Sequence, residues 1–360
     1  MRTYSNRFNK RKLIQLGIAL GILAVALIII LLLAMLVEKN TVPLSGDTPD
    51  GIVTRQPEDK KVTDDRVNID GKWYRYKREI RTTLLIGIDE FGELREKDIY
   101  ENPHQADFLL LLAKNDDNGD VFSIQINRDT MTNVNTLSVS GDRVGRNLEQ
   151  ICLAFSYGDG AETSCKNTVD AVNELLFGLP VEKYIAMTMS GIGVLNDEVD
   201  GVTLPCFCDF PELGYKKDEI VTLTGDEALT YVRARAIMAD PTNVSRMERQ
   251  RQYILAWSDI AKDKFKTAKA ATGLIQHISP YLCTNCDSVT MANMAQELGE
   301  YKGAPIYVPE GELYYTGTRT GFVEFWPDDA KLKQLILELF YEPLEDPENP
   351  EISDNDADGQ

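Results

Sequence analysis

Thr82-Thr-Leu-Leu-Ile-Gly-Ile88 decides the fold, because this apolar and β-branched run ends directly at the carboxylate of Asp89. A short run of this kind, bounded by polar turns, is typical of a buried strand. Similar runs recur at Phe108–Ala113, Val121–Ile126, Lys183–Met189 and Val202–Pro205. Together they predict the strands of one largely buried sheet.

Helical patterns lie between and after these runs. The segment Thr163–Phe177 starts at a threonine and is followed by Gly178, as helix ends prefer. The other segments with a helical pattern are Leu148–Tyr157, Gly225–Val232, Val244–Phe265, Ser288–Leu298 and Asp328–Phe340. Strands alternating with helices predict an α/β protein, here an α/β/α sandwich around a central mixed sheet.

The amino-terminal part is built for a membrane. Residues 13–37 are uncharged and mostly apolar, and a helix of this length can cross the hydrocarbon layer, which is about 30 Å thick. Five basic residues precede the segment and no acid occurs before Glu38, which places the amino terminus in the cytoplasm. A cleaved signal peptide is the alternative, but its apolar region is normally about 7–15 residues long. We therefore expect one retained transmembrane helix, a single pass through the cell membrane and an extracellular main domain.

Charge and composition divide the rest of the chain. The formal net charge is −19, and removal of the five basic residues leaves −24 on the part after residue 37, which will repel nucleic acid. Prolines and glycines mark residues 38–78 as a stalk, and residues 342–360 carry eight carboxylates and no basic residue, as disordered tails do. The predicted parts are a basic cytoplasmic tail (1–12), a transmembrane helix (13–37), an extracellular stalk (38–78), one extracellular domain (79–341) and an acidic tail (342–360).

Six cysteines lie in the outer part: Cys152, Cys165, Cys206, Cys208, Cys283 and Cys286. The Cys283-Thr-Asn-Cys286 spacing is found in zinc knuckles and redox pairs, but no second pair completes a metal site. A local disulfide is therefore favoured there, because pairing is permitted outside the cell. Cys152 and Cys165 flank a glycine-rich turn, and a second bond between them is the other pairing that the sequence suggests.

Arginines are concentrated in one region of this acidic chain. Five of them fall within 19 residues: Arg233, Arg235, Arg246, Arg249 and Arg251. Guanidinium groups bind phosphate oxygens through paired donors and keep their charge, which suits a pyrophosphate. On a helix that starts near Asn243, the residues Arg246, Arg249 and Gln250 would share one side. The alternative is a solvated basic helix with surface ion pairs.

Carboxylates stand at the edges of the predicted strands. Asp89 ends one strand and Asp107 begins the next, and such carboxylates can hold Mg²⁺, which also shares phosphate oxygens with a ligand. Ordinary turn or cap aspartates are the alternative. Asn127-Arg-Asp-Thr130 follows a third strand, and its Asp129 is either a structural partner for an arginine or a catalytic group.

Other chemistries find little support in the sequence. The chain has two histidines and no Gly-x-Ser-x-Gly motif, so it does not resemble a Ser/His hydrolase. It also has no Walker A loop and no dinucleotide glycine fingerprint. Asp159 and Glu162 lack a recognisable partner for glycoside hydrolysis.

Taken in order, the motifs resemble the LytR-CpsA-Psr family of cell-envelope enzymes over residues 80–260. They are the anchor, Gly87-Ile-Asp89, Asp107, Asn127-Arg-Asp-Thr130, Ala154-Phe-Ser-Tyr-Gly158, Val199-Asp-Gly-Val202, Leu223–Arg235 and Ser245–Gln250. The resemblance implies a membrane-anchored phosphotransferase. Such an enzyme takes a glycopolymer, for example teichoic acid or capsule, from a polyprenyl-pyrophosphate carrier and attaches it to peptidoglycan.

The resemblance also implies roles for individual residues. It makes Asp89 and Asp107 the ligands of Mg²⁺ and assigns catalysis to Asp107, Arg128 and Asp129. Residues expected on the pyrophosphate are Arg128, Arg146, Arg233, Arg235, Arg246 and Gln250. The lipid tail would occupy an apolar tunnel between the sheet and the helices, close to the bilayer. The partners implied are the lipid-linked glycopolymer, peptidoglycan and membrane lipid, and no nucleic acid.

One departure from the family pattern opens an alternative function. The family usually reads Arg-Ser-Asp-Thr where this chain has Gln105-Ala-Asp-Phe108, so a basic side chain beside Asp107 is missing. A glutamine donates hydrogen bonds but supplies no positive charge to a leaving phosphate. Besides the transferase, we therefore consider a catalytically weak envelope protein that binds polyprenyl pyrophosphate or regulates its use. A DNA-binding regulator would require the basic helix to be cytoplasmic.

Overall fold

The computed structural model describes residues 66–69, 71–98, 102–234, 243–265, 267–286, 305–315 and 323–344. Six features predicted from the sequence lie wholly or mostly outside them: the basic tail 1–12, the segment 13–37, the stalk 38–78, the acidic tail, Arg235 and the helix Ser288–Leu298. Within the described ranges, no helix combines the length and the apolar character that a membrane crossing requires.

The secondary structure alternates between strands and helices along the chain. The strands are β1 (Arg66–Ile69), β2 (Lys72–Tyr76), β3 (Ile80–Ile88), β4 (Ala106–Asn115), β5 (Val121–Ile126), β6 (Met131–Leu137), β7 (Arg143–Gln150), β8 (Lys183–Thr188), β9 (Val202–Pro205), β10 (Ile220–Leu223), β11 (Leu282–Thr284), β12 (Ile306–Tyr307), β13 (Gly311–Tyr315), β14 (Val323–Pro327) and β15 (Tyr341–Pro343). The α-helices are α1 (Glu162–Leu175), α2 (Met189–Asp197), α3 (Asp226–Arg233), α4 (Asn243–Lys264), α5 (Ala268–Ile278) and α6 (Asp329–Phe340). Short 3₁₀ helices span Ile151–Tyr157 and Ser279–Tyr281.

Six strands form the central sheet in the order β11-β8-β3-β4-β5-β12. The long pair β3 and β4 is antiparallel, whereas β3 runs parallel to β8 and β12 runs parallel to β5. The sheet is therefore mixed, as the sequence predicts. Its central strands are buried along most of their length, which explains why they read as continuous apolar runs.

Side-chain alternation along β4 produces the two helical layers. Leu110 and Leu112 belong to a core that includes Trp257 of α4, and we call this side of the sheet the α4 face. Leu109 and Leu111 belong to a second core on the other side, which we call the α1 face. This second core contains residues of α1 and α6. The α/β/α layering thus follows from the apolar run of one strand.

The domain extends beyond both of its predicted ends. The strands β1 and β2 lie in the predicted stalk, and β15 lies at the predicted start of the acidic tail; they form one antiparallel sheet in which Tyr341 pairs with Tyr76. The rings of these two tyrosines meet edge to face, with centroids 5.6 Å apart. The boundaries at 78 and 342 are therefore corrected to at most residue 66 and at least residue 344.

One predicted helix is wrong in part. The first residues of Leu148–Tyr157 form the end of β7, which pairs with β6, and only Ile151–Tyr157 is helical, as a 3₁₀ turn. The Ile151 amide donates to the carbonyl of Thr130 at 2.7 Å, so this segment starts against the residue that precedes β6 rather than in a free helix. The other predicted helices within the described residues agree with the structure to within about two residues.

The disulfide predictions are also wrong for this structure. All six cysteines lie in the described residues, and none of them is in a disulfide. Cys283 packs against the α1 face and Cys286 lies in the core of the α4 face, so the two sulfurs are on different sides of the sheet. Cys165 of α1 instead forms a side-chain hydrogen bond with Cys283. The Cys152 sulfur lies 3.8 Å from Oε1 of Gln105.

Candidate functional site

A cavity of about 130 Å³ lies on the α4 face, between the central sheet and helices α2, α3 and α4. Its wall is almost entirely apolar, with side chains from the sheet such as Leu85 and Ile185 and from the helices such as Trp257. Among the residues that line it, four are charged or carry an amide: Asp107, Arg233, Arg246 and Gln250. The cavity therefore has the shape of a site for a mainly apolar ligand with an anionic end.

A β-bulge directs Asp107 to this cavity. In the β3–β4 pair, Gly87 is opposite Phe108 and Ile88 is opposite Ala106, so Asp107 is the extra residue. A bulge of this kind bends the strand and re-aims the side chain. Gly87 permits the close approach, because a Cβ on this residue would lie 2.8 Å from Cβ of Phe108.

The Asp107 carboxylate joins two arginines from distant parts of the chain. Its Oδ1 accepts a hydrogen bond from Nη1 of Arg128, and its Oδ2 accepts one from Nη1 of Arg246 at 2.9 Å. Arg246 also donates from Nη2 to the backbone carbonyl of Asp107 at 3.3 Å. Both guanidinium groups are buried, with Arg246 only 2% exposed. Two positive charges are thus held around one carboxylate at the edge of an apolar cavity.

Arg128 is fixed by two further neighbours. Its Nε donates to Oδ1 of Asp129 at 3.3 Å, and its Nη2 donates to Oε1 of Gln105 at 2.5 Å. Asp129 also accepts a hydrogen bond from Nε2 of Gln150. Neither Arg128 nor Asp129 lines the cavity, so Arg128 is linked to it through Asp107. The contacts of Asp129 are those expected of a structural partner for an arginine.

Arg233 occupies an exposed position at the last residue of α3, where it lines the cavity. Its Cζ atom lies 5.0 Å from the centroid of the Phe91 ring, which is a cation–π distance. No carboxylate of the described residues forms an ion pair with it. Among the described residues that line the cavity, Arg233 is therefore the arginine whose charge is accessible.

Arg249 does not share the environment of Arg246, although the two lie one helical turn apart. It is 1% exposed and donates to the backbone carbonyls of Tyr231 and Ala234, at the end of α3. Burial lowers the pKa of its guanidinium. Unpartnered carbonyls at a helix end attract such a donor. Arg249 therefore fixes the end of the helix that carries Arg233, and it is not part of the cavity lining.

Two other residues implied by the family resemblance also lie outside the cavity lining. Arg146 of β7 donates to Glu174 at 3.1 Å and to Asn135 at 3.0 Å, on the outer side of the β6–β7 hairpin and α1. Asp89 accepts a hydrogen bond from the Gln105 amide at 2.6 Å. Arg235, the remaining predicted pyrophosphate ligand, lies outside the described residues.

Sequence reasoning missed Phe91 and the role of Arg249. Phe91 is an aromatic residue in the polar turn that follows β3. An aromatic side chain at such a position is the one sequence signal that could have pointed to it. The spacing does not separate Arg249 from Arg246, because residues three apart on a helix are neighbours on its surface.

The layered fold, with a largely apolar cavity edged by arginines, defines an α/β protein with a site for an amphipathic anion. The chain belongs to the LytR_cpsA_psr family, whose family model matches residues 50–332. It is 27% identical to a polyisoprenyl-teichoic acid–peptidoglycan teichoic acid transferase, TagU of Bacillus subtilis strain 168, over 73% of this chain and 78% of that protein. TagU of Halalkalibacterium halodurans is also 27% identical, over 66% of this chain and 70% of the relative.

Solved structures share the fold. The crystal structure of B. subtilis TagV matches with a TM-score of 0.56 and 22% identity, over 73% of this chain and 97% of the other. A structure of TagT bound to LIIa-WTA matches with a TM-score of 0.54 and 21% identity, over 72% of this chain and 89% of the other. The mixed sheet with its helical layers is therefore a shared architecture.

Proposed function

We propose that this protein is a membrane-anchored, Mg²⁺-dependent phosphotransferase that moves a glycopolymer from a polyprenyl-pyrophosphate carrier to peptidoglycan. The observation that carries the proposal is the cavity, where Asp107, Arg233, Arg246 and Gln250 stand beside an otherwise largely apolar wall. A prenyl chain that ends in a diphosphate would match both parts. The teichoic acid transferase activity named for the TagU relatives supports the same reaction class.

The apolar wall would hold the carrier lipid. It is formed by aliphatic and aromatic side chains from both the sheet and the helices, and the polar groups of Tyr253 and Trp257 already donate to Asn196 and to the Leu195 carbonyl. Burying a methylene group in such a wall is worth about 0.8 kcal/mol, so a few isoprene units provide substantial binding energy. The lipid would then place its diphosphate at the arginines.

The arginines would neutralise the diphosphate while an acceptor hydroxyl attacks. In the proposed reaction the hydroxyl oxygen of peptidoglycan bonds to the phosphorus that carries the polymer, and the bond from this phosphorus to the bridging oxygen breaks. Polyprenyl phosphate leaves and the hydroxyl proton passes to solvent. Transfers of this kind depend on charge stabilisation and positioning, which fixed guanidinium groups supply.

Asp107 would keep the arginines in place before the donor arrives. Without a carboxylate between them, the buried guanidinium groups of Arg128 and Arg246 would repel each other and lose hydrogen-bond acceptors. The donor phosphates would meet groups that are already oriented. Arg249 would act indirectly, because it fixes the end of α3 and so the position of Arg233.

Mg²⁺ is a suitable cation for this site by donor type. Asp89 and Asp107 would hold it, and it would supply additional charge neutralisation for the phosphates. The described residues contain no group of three or more metal-binding side chains, so waters and phosphate oxygens would complete the coordination, as Mg²⁺ commonly requires. Both Asp107 oxygens contact arginines here, so metal binding would have to share or displace one contact.

The apolar residues 13–37 support the membrane placement. A tethered domain stays close to the bilayer in which the carrier lipid resides, and the basic residues before the segment favour a cytoplasmic amino terminus. The catalytic domain would then face the outside of the cell, where peptidoglycan is assembled.

The proposal can be tested with the full chain in detergent, a polyprenyl-pyrophosphate-linked oligosaccharide donor and peptidoglycan fragments. Mass spectrometry would measure the phosphodiester product with Mg²⁺ and with a chelator. We expect Arg246→Ala to lower kcat/KM by about 100-fold or more, the effect of losing one transition-state donor. Arg233→Ala serves as a second variant because this residue is exposed. Arg143→Ala, an exposed arginine of β7, is the control; transfer that is insensitive to both cavity variants would refute the proposal.

A second candidate function is binding without efficient turnover. The observation that favours it is Gln105, whose side-chain oxygen accepts from Arg128 and contributes no positive charge to the site. Tight and Arg246-dependent donor binding, with no product under the same conditions, would select this function.

A further inference from the structure

Phe91 is a large apolar residue that stands in solvent beside the cavity. Phe91 is 54% exposed, and its ring lies under the guanidinium group of Arg233. Single exposed apolar residues are common and need no special explanation. This one, however, contacts the accessible charge of the site.

The backbone on both sides of the ring is held firmly. The carbonyl of Glu90 accepts from the Met189 amide at 2.9 Å. The amide of Gly92 donates to the Ser190 hydroxyl at 2.8 Å, and its carbonyl accepts from the Thr188 hydroxyl at 2.8 Å. Gly92 has a φ of +87°, a left-handed conformation that favours glycine. The turn is thus fastened to the junction of β8 and α2.

Arg233 is held differently from the other arginines of the site. Arg246 and Arg128 are buried and contact the Asp107 carboxylate. Arg233 is exposed, and fixing such a long side chain in one position costs rotamer entropy. A carboxylate would hold it but would also compete with phosphate. An aromatic face holds the guanidinium without occupying any of its five N–H donors.

We propose that Phe91 is a positioning residue that holds the Arg233 guanidinium in place for the diphosphate of the lipid donor. The inference rests on the proposed function, because it assumes that Arg233 contacts a polyprenyl pyrophosphate. It adds that the aromatic ring, and not merely apolar bulk, is required at position 91.

The test is a titration of the full chain in detergent with polyprenyl pyrophosphate, by calorimetry. Phe91→Leu keeps an apolar side chain but removes the ring, and we expect the Kd to rise about two- to five-fold, the range of an exposed cation–π contact. Phe91→Trp should retain or improve the wild-type affinity, because tryptophan is the best ring for this contact. Ile220→Ala on β10, at a residue that is 69% exposed, is the control and should leave the Kd unchanged.

A double-variant cycle isolates the contact. In an Arg233→Ala background, Phe91→Leu should have no further effect on the Kd, because its partner is absent. An equal loss in both backgrounds would overturn the inference, since Phe91 would then act on the ligand directly. A Phe91→Leu affinity equal to wild type, with Arg233→Ala impaired, would also overturn it.

Failure of the proposed function would look different. Wild-type protein would then bind polyprenyl pyrophosphate no better than the matching polyprenyl alcohol, and Arg233→Ala would change nothing. Thermal unfolding of each variant, followed in the same detergent, should show Tm values close to wild type, because Phe91 and Arg233 are both exposed.

Discussion

The carboxylate of Asp107 and the guanidinium of Arg246 meet at 2.9 Å, although the two residues are 139 positions apart in the chain. Asp107 lies at the bulge in β4, and Arg246 lies in the first turns of α4. This contact joins the acidic and the basic motifs of the sequence at one edge of the cavity. Its energetic consequences can be measured without any knowledge of the substrate.

Asp107→Asn should destabilise the protein. The change leaves Arg128 and Arg246 buried without their shared negative charge, and removing one partner of a buried ion pair costs about 3–5 kcal/mol. We expect the free energy of unfolding to fall by about this amount in chemical denaturation. Asp116→Asn is the control, because Asp116 forms an exposed ion pair with Arg81, and such pairs contribute about 1 kcal/mol or less.

Anion rescue provides a second measurement on the same variant. Inorganic pyrophosphate can supply the negative charge that Asp107→Asn removes, so it should raise the Tm of the variant more than that of the wild type. Equal shifts for the two proteins would mean that the arginines are not an anion site.

Gln105→Arg should weaken donor binding, even though it restores the residue that is usual in the family. In this chain the Gln105 oxygen accepts from Nη2 of Arg128 at 2.5 Å, and a guanidinium has no acceptor to offer there. The repulsion should raise the Kd for polyprenyl pyrophosphate about tenfold, which is about 1.4 kcal/mol. Gln105→Glu keeps an acceptor and is the control for the loss of the amide. Tighter binding by the arginine variant would contradict this expectation.

Mild oxidation should join Cys165 to Cys283 and not Cys283 to Cys286. The hydrogen bond from Cys165 lowers the pKa of the Cys283 thiol, whereas burial raises the pKa of Cys165, so Cys283 is the sulfur that attacks. With diamide as oxidant, peptide mapping without reductant should find the cross-link between α1 and β11. The Cys286→Ser variant should give the same product, and a Cys283–Cys286 peptide from wild type would refute the prediction.

Asp159 should stabilise the protein in a pH-dependent way. Burial alone would raise the pKa of its carboxyl, but hydrogen bonds from the Ala161 and Ser164 amides and from Thr163 lower it below the ordinary value. A group with a lowered pKa stabilises the fold above its unfolded pKa of about 3.9, and this effect disappears as the pH falls through the folded pKa. Asp159→Ala should therefore lower the free energy of unfolding by about 1 kcal/mol at pH 7. The difference from wild type should vanish well below pH 3.9, and a difference that persists there would count against the carboxylate.

The central sheet could be predicted from the sequence because its strands are buried on both faces. The runs in β3, β4 and β5 are apolar without interruption, so their position and their sandwich layering follow from composition alone. The strands β1, β2 and β15 contain polar and charged residues among the apolar ones. Their sequences therefore predict a stalk and a tail instead of strands. Their pairing joins segments far apart in the chain, which no local pattern reveals.

The site was harder to predict than the fold. Asp107 and Arg246 are prominent in the sequence, but the bulge that brings them together depends on register between two strands. Arg146 carries the same charge as Arg246, but the pairing of β7 with β6 places it opposite Asn135, and the neighbouring helix α1 supplies its contact with Glu174. Cys283 and Cys286 are three residues apart, yet they fall on opposite sides of an edge strand.

The small sheet of β1, β2 and β15 has a mechanical consequence. Because Tyr76 and Tyr341 are paired neighbours, the chain enters and leaves the domain at the same corner. A stretching force applied between the two ends of the domain would act first on the hydrogen bonds of this three-stranded sheet. The force would act on the cavity only after these strands had separated. A spectroscopic label attached at Leu344, whose amide donates to the Trp73 carbonyl, would report on the surroundings of β2.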